Sequence, residues 1–247
     1  MGFAYIAYCK GQSDSSGTSL NGDVALDINA GDLLVGIFKW EVDDTTPGCR
    51  SGVGENDFTF LATSDNASEI FTAIGYKIAA VNNDSATMEF TLAVARAFRS
   101  FQVLQFRPDS GETVTLVAGP SPAEIAGGYG PENSGDISPT GTDILVFGAI
   151  GSYSARYIYA IFDIGTVTAT FTYASAYYTI AGYKFFDTPQ TNIHLTADLD
   201  ASSNYWTLDI AAFKSEAAGG GGVDTAKKRM SATHLLMPGF PMAILPD

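Results

Sequence analysis

The second half of this 247-residue chain repeats the first. Gly75-Tyr76-Lys77 opens a stretch that closes at Phe106-Arg107, and Gly182-Tyr183-Lys184 opens one that closes at Phe213-Lys214. The displacement is 107 positions at both ends, and at that spacing Met88, Phe90 and Leu92 fall on Leu195, Ala197 and Leu199. An internal repeat dictates architecture before any short motif does. Here it predicts two stacked β modules, and a structural or binding role more than a catalytic one.

The strand signals support that reading. Residues 32–40 form a nearly unbroken apolar run, as expected of a strand covered on both faces. Residues 143–150 echo it at a displacement of 111. Phe3, Tyr5 and Ala7 alternate with Ala4, Ile6 and Tyr8 in a first strand. Met88, Phe90, Leu92 and Val94 alternate inward over 87–94, as do Ile193, Leu195, Ala197 and Leu199 further on. Trp206, Leu208 and Ile210 belong to a last strand whose Thr207 and Asp209 should face out. Turn residues punctuate these runs at Asn21-Gly22, Asn82 to Asp84 and Asn133 to Gly135. Helical periodicity is confined to 68–74 and 121–125, each good for a turn or two. Short strands with frequent turns predict an all-β fold: two tandem, mutually packed antiparallel β-sandwich modules of jelly-roll-like form, with an extended C-terminal arm.

The expected organisation is module 1 over 1–107, a Pro/Gly-rich crossing over 108–140, module 2 over 141–216, and a linker with docking arm over 217–247. The crossing holds five prolines and cannot be a central strand. The arm follows the flexible run Gly219 to Gly222. Its Leu235, Leu236, Met237, Phe240, Ile244 and Leu245 have no period and too few neighbours to make a core. Left exposed they would aggregate, so they should dock on a partner subunit.

Composition removes several function classes. Net charge is −14 and only 16% of residues are charged, whereas nucleic-acid binders present a cationic face. We therefore expect no nucleic-acid and no membrane partner; no run of about 18 apolar residues occurs either. Residues 1–8 have no basic region and only a short apolar stretch, unlike a secretory signal, so the chain is expected to be made in a cytoplasm and kept there, or exported by a route that needs no signal, release by lysis within a virus particle being one. Cys9, ending the first strand, and Cys49, in a Gly-rich loop, are expected as unlinked thiols. With His194 and His234 they do not make a zinc site.

No catalytic constellation stands out. No G-x-S-x-G elbow occurs, and Gly127 to Gly130 has no Lys-Ser/Thr after it to make a phosphate loop. Asp198 and Asp200 share a strand face about 7 Å apart, which reads as solvated sheet surface. Loop carboxylates at Asp14, Asp23, Asp43 and Asp44 lack the calcium-loop pattern. No enzyme activity and no cofactor are expected. Tyrosines cluster in the second half, and Tyr153, Tyr157, Tyr177 and Tyr178 are candidates for subunit contacts or for a glycan platform.

The body, "AGDLLVGIFKW" followed by "TMEFTLA", "FQVLQFRP", "TGTDILVFGAI" and "NYWTLDIAAFK", is similar to duplicated β-sandwich proteins of tailed-bacteriophage structural genes and some bacterial surface proteins. The ending "DTAKKRMSATHLLMPGFPMAILPD" resembles the ends of small proteins encoded among phage head and tail genes. The resemblance implies a virion structural protein that decorates a capsid or tail or builds a fibre or spike. Its implied partners are copies of itself and other virion proteins. The alternative is a carbohydrate-binding adhesin of a tail tip or bacterial surface, whose partner is a cell-surface glycan.

Overall fold

A computed structural model describes residues 2–41, 46–52, 57–66, 70–120, 123–126, 132–152, 163–164, 167–168, 170–173, 179–197 and 205–218. These form strands and turns only, in antiparallel sheets. The first half contains β1 (Phe3–Ser13), β2 (Gly17–Ile28), β3 (Leu33–Glu41), β4 (Pro47–Ser51), β5 (Thr59–Asn66), β6 (Ile70–Ile78), β7 (Asn83–Arg96) and β8 (Arg99–Pro108). Its pairings are nested: β1 with β8, β2 with β7, β3 with β6. This is one long hairpin folded over into two layers, the jelly-roll arrangement. The layers are a large sheet, β1-β8-β3-β6-β5, and a small one, β2-β7-β4.

The second half nests in the same way. It contains β9 (Glu112–Ala118), β10 (Ala123–Ala126), β11 (Glu132–Asn133), β12 (Ile144–Ser152), β13 (Asp163–Ile164), β14 (Val167–Thr168), β15 (Thr170–Tyr173), β16 (Thr179–Phe186), β17 (Leu195–Ala197) and β18 (Tyr205–Ala217). β9 and β10 both pair with β18, β11 with β17, and β12 with β16. The segment 108–140 thus carries strands of the second half. β9 and β10 occupy its sheet edge, the position β1 holds in the first. Pro120, Pro122, Pro131 and Pro139 all fall outside β9, β10 and β11, as proline's missing ladder donor requires. Of the helical turns expected over 68–74 and 121–125, the described residues 70–74 and 123–125 are strand, in β6 and β10. Tertiary pairing overrides so short a local signal.

Four layers result, with the two large sheets face to face in the middle. One core lies inside the first half, around Phe38, Trp40, Met88, Phe90 and Phe101. Another lies inside the second, around Ile144, Val146, Ile150, Leu195 and Leu208. The third joins the halves, through Val35, Leu104, Phe106, Phe147, Tyr183 and Phe213. A large-sheet strand is therefore covered on both faces. This is why 33–40 and 144–152 read as unbroken apolar runs and are buried throughout.

Register makes the repeat concrete. Gly36 stands opposite Gly75 and Val103, and Gly148 stands opposite Gly182 and Ile210. β3 thus maps onto β12 at a displacement of 112, one more than Asp32 and Asp143 suggest. In a strand, a slip of one exchanges the two faces. At 112, Leu33, Val35 and Ile37 coincide with Leu145, Phe147 and Ala149, and all six lie in the central core.

Other facings also differ from the sequence pattern. A bulge between Tyr5 and Ala7 leaves Ile6 unpaired and exposed. Phe3, Tyr5 and Tyr8 then join the central core, while Ala7 and Cys9 join the first. A single inserted residue resets the alternation in this way. Met88, Phe90 and Leu92 point inward as expected, but Val94 is exposed, beyond the point where the β2–β7 register breaks. Cys49 lies in β4 and not in a loop. Thr207 and Asp209 face the other half, fully buried, and not solvent.

Candidate functional site

The contact between the large sheets is built as a pseudo-twofold interface. Tyr76 and Tyr183 are repeat-equivalent, as are Phe106 and Phe213. Phe106 packs edge-on against Tyr183 at 5.0 Å, and Phe213 against Tyr76 at 5.3 Å. Residue i meets j′ where j meets i′, the signature of an isologous contact. Tyr5 stacks on Tyr183 at 5.3 Å and adds to the seam. Burial drives the Tyr5 hydroxyl above its ordinary value, helped by the neighbouring Tyr183 and Tyr8.

One end of this interface is polar. Ser64 on β5 donates to Asp209 at 2.6 Å, and Thr72 on β6 donates to its other oxygen at 3.0 Å. The Thr72 and Thr207 hydroxyls lie 2.7 Å apart, so with Thr72 giving its proton to Asp209, Thr207 donates to Thr72. Gly151 makes the approach possible: a Cβ there would sit 2.2 Å from Thr72 Cγ2 and 3.0 Å from Thr207 Oγ1. Nearby, Gln102 Oε1 accepts the Ala181 N–H at 3.2 Å. Lys39 is buried and donates to the Phe98 carbonyl at 3.2 Å. Burial pushes its ammonium down from 10.5 to about 8, against the pull of Glu41 and Asp14.

The outer face of the first small sheet carries a different feature. An open groove of about 590 Å³ runs over β7, lined by Asn21, Gly52, Asn83, Ser85, Ala86, Thr87 and Glu89. Since Ala86, Met88 and Phe90 point into the core, the odd-numbered side chains of β7 must face the groove. The opening arises where β2 and β7 part. Between the pairs Asn21–Glu89 and Ala25–Thr87, β2 has three residues against one on β7. Asn83 Nδ2 donates to the Ser51 carbonyl at 2.9 Å, and Glu89 pairs with Arg50 at 2.7 Å. Gly52, at φ 113°, leaves room for the Asn83 amide, which a Cβ would approach to 2.9 Å.

The repeat-equivalent face of the second half is occupied by its own side chains. His194 Nδ1 meets Asp136 at 3.0 Å, Thr196 donates to Asn133 at 2.7 Å, and Ser138 bonds Asn192. Ser85 and Asn192 are equivalent and share a left-handed backbone, φ 59° and 53°. That conformation therefore belongs to the fold. Among the described residues, no nucleophilic side chain is hydrogen-bonded to the partly exposed His194–Asp136 pair.

Cys9 and Cys49 are free and buried in the first core. Burial, with Asp23 adding to it, pushes the Cys9 thiol up to about 12; burial and the neighbouring Cys9 raise Cys49 as well. Thiols held protonated are poor nucleophiles and metal ligands. Among the described residues, no three His, Cys, Asp or Glu side chains gather to hold a metal ion, and no helix is long and apolar enough to cross a membrane. The arm residues Leu235, Leu236, Met237, Phe240, Ile244 and Leu245 lie outside the described residues, as do Tyr153, Tyr157, Tyr177, Tyr178, Asp198, Asp200 and His234. The interface cluster and the groove were missed from sequence. Thr207 and Asp209 alternate with apolar residues as any solvated face would, and the groove depends on a register shift no local pattern announces.

The fold and these sites define a class: a tandem pair of antiparallel β-sandwiches joined through their large sheets. No family model, curated protein or solved structure matches the chain.

Proposed function

We propose that this chain is a structural protein of a bacteriophage virion, a non-enzymatic building block that decorates a capsid or tail or forms part of a fibre or spike. The observation that carries the reading is the central core. Two jelly rolls share one continuous apolar seam with a buried polar end, so the body acts as one stiff unit. Such a unit suits load-bearing and display. The arm over 217–247 docks on neighbouring subunits, either copies of this chain or other virion proteins. The low charge and the resemblance of the ending to phage head and tail proteins support the same reading.

The test separates body from arm. β18 runs to Ala217, and the Ala218 N–H donates to the Gly111 carbonyl. Truncation after Ala218 therefore spares every described strand. The truncated protein should keep the thermal midpoint of the full chain and fail to enter particles. Incorporation at the full-length level would sink the docking role.

A further inference from the structure

We infer that the groove over β7 is a binding site for an uncharged carbohydrate. Asn21, Ser85 and Thr87 line it, are exposed, and make no side-chain hydrogen bond to the described residues. Asn83 is anchored through its amide nitrogen, which leaves its carbonyl oxygen to accept from a ligand. Glu89 is steadied by Arg50 beside it. The result is a row of fixed amide, hydroxyl and carboxylate groups along one strand, spaced by the two-residue repeat of about 7 Å. A volume of about 590 Å³ admits a small oligosaccharide.

The same geometry disfavours other ligands. β7 is central, with β2 on one edge and β4 on the other, so an extended peptide finds no free backbone edge to extend. Among the described residues, the lining has no large apolar side chain to reward a lipid or a hydrophobic peptide. The one charged residue among them is Glu89, in a chain of net charge −14, which repels phosphates and acidic sugars. A single carboxylate already paired with arginine is no cation site. A neutral polyhydroxylated molecule matches what remains, because each hydroxyl both donates and accepts.

Comparison with the other half strengthens the assignment. There the equivalent positions, Asn133, Asn192, His194 and Thr196, satisfy one another or near neighbours. In the first half Asn21, Ser85 and Thr87 are left open, and Glu89 alone is paired, with Arg50. The duplicated fold does not need the open row, since its copy does without it. None of its lining residues is among Tyr153, Tyr157, Tyr177 and Tyr178, the candidates for subunit contacts or a glycan platform.

The experiment uses the full chain. It is labelled and applied to an array of neutral and acidic glycans, and the best neutral oligosaccharide is then titrated against wild type and the double variant Asn21→Ala/Thr87→Val. Both positions are exposed, so the variant should melt with the wild type. The inference expects binding to neutral glycans and at least a tenfold loss in the variant. Absence of neutral-glycan binding, binding to acidic glycans alone, or equal affinity in the variant would each overturn it. Particle incorporation is read separately, so failure here leaves the virion reading standing, and the reverse holds.

Discussion

The two halves share a path but fill it differently. The first core is aromatic: Phe38 touches Phe58, Phe60, Phe90 and Phe101 at ring separations of 5.0 to 5.9 Å. At the equivalent positions the second half has Ile150 for Phe38, Ala197 for Phe90 and Leu208 for Phe101. Cores accept such exchange when volume and pattern hold. Duplication has conserved the nesting and the register while the side chains drifted. The face between the halves has drifted too: Val35, Ile37 and Leu104 stand where Phe147, Ala149 and Ala211 do, while the reciprocal Tyr76/Tyr183 and Phe106/Phe213 pairs are kept.

The largest test of that contrast is Phe38→Ala. Removing a fully buried aromatic hub should cost about 3–5 kcal/mol. The chain has two tryptophans, Trp40 and Trp206, both buried and one in each half. Single-tryptophan variants can therefore report each half separately during urea unfolding. Because the halves share a core, both probes should move to the same lower midpoint in Phe38→Ala. Two separated transitions would show that the halves are independent and that the central seam is weaker than its burial implies.

Lys39 comes next, and it marks where the pseudo-symmetry fails. Its counterpart is Gly151, which lets Thr72 and Thr207 touch. The mirrored pair, Thr179 and Ser100, flanks Lys39's side of the interface; both hydroxyls are buried and neither finds a partner among the described residues. A lysine cannot allow the approach that a glycine does. Its burial also has a pH signature. With the folded value near 8 and the unfolded near 10.5, the unfolded chain binds more protons in that window, so stability rises with pH from about 8 to 10.5. Lys39→Met should flatten that rise and add up to about 3 kcal/mol at pH 7. Parallel denaturation curves for both proteins from pH 7 to 10.5 would disprove the buried-charge account.

Asp209→Ala attacks the hydrogen-bonded end. It leaves the Ser64 and Thr72 hydroxyls without their acceptor, at a cost of about 1–3 kcal/mol. At the equivalent position the neutral Gln102 accepts the Ala181 N–H, and bonds to a neutral acceptor are worth less than bonds to a carboxylate, so Gln102→Ala should cost less. If the two variants unfold at the same denaturant concentration, the two ends are energetically alike and the asymmetry is cosmetic.

Much of this was legible in the chain. The offset at Gly75 and Gly182 forecast the duplication, and the unbroken runs forecast strands covered on both faces. What escaped was facing. Thr207 and Asp209 look like a solvated edge because alternation shows that a residue faces away from one core and is silent about a second. The bulge at Ile6 and the register shift that opens the groove are decided by strand partners far along the chain. The one-residue error at 32 and 143 arose because identical aspartates were matched, whereas backbone geometry matches Asp143, at φ 56°, with Gly31, at φ 93°.

That correction makes the smallest prediction. Asp32 has no counterpart, since Ile144 stands in its place. Its carboxylate is fully buried, and burial alone would raise its pKa. Hydrogen bonds from Arg107, the Asn29 N–H and Gln105, together with the Arg107 charge, outweigh that and hold it below 3.8. A depressed carboxyl contributes stability that is present above the unfolded value and lost as pH falls through the folded one. The stability gap between wild type and Asp32→Asn should thus be constant from pH 7 to about 4 and narrow below it. Ile144→Val, at the equivalent position, should cost about 1 kcal/mol with no pH dependence. A gap for Asp32→Asn that stays constant to pH 2 would mean the carboxylate's charge adds nothing, and would remove this difference between the halves.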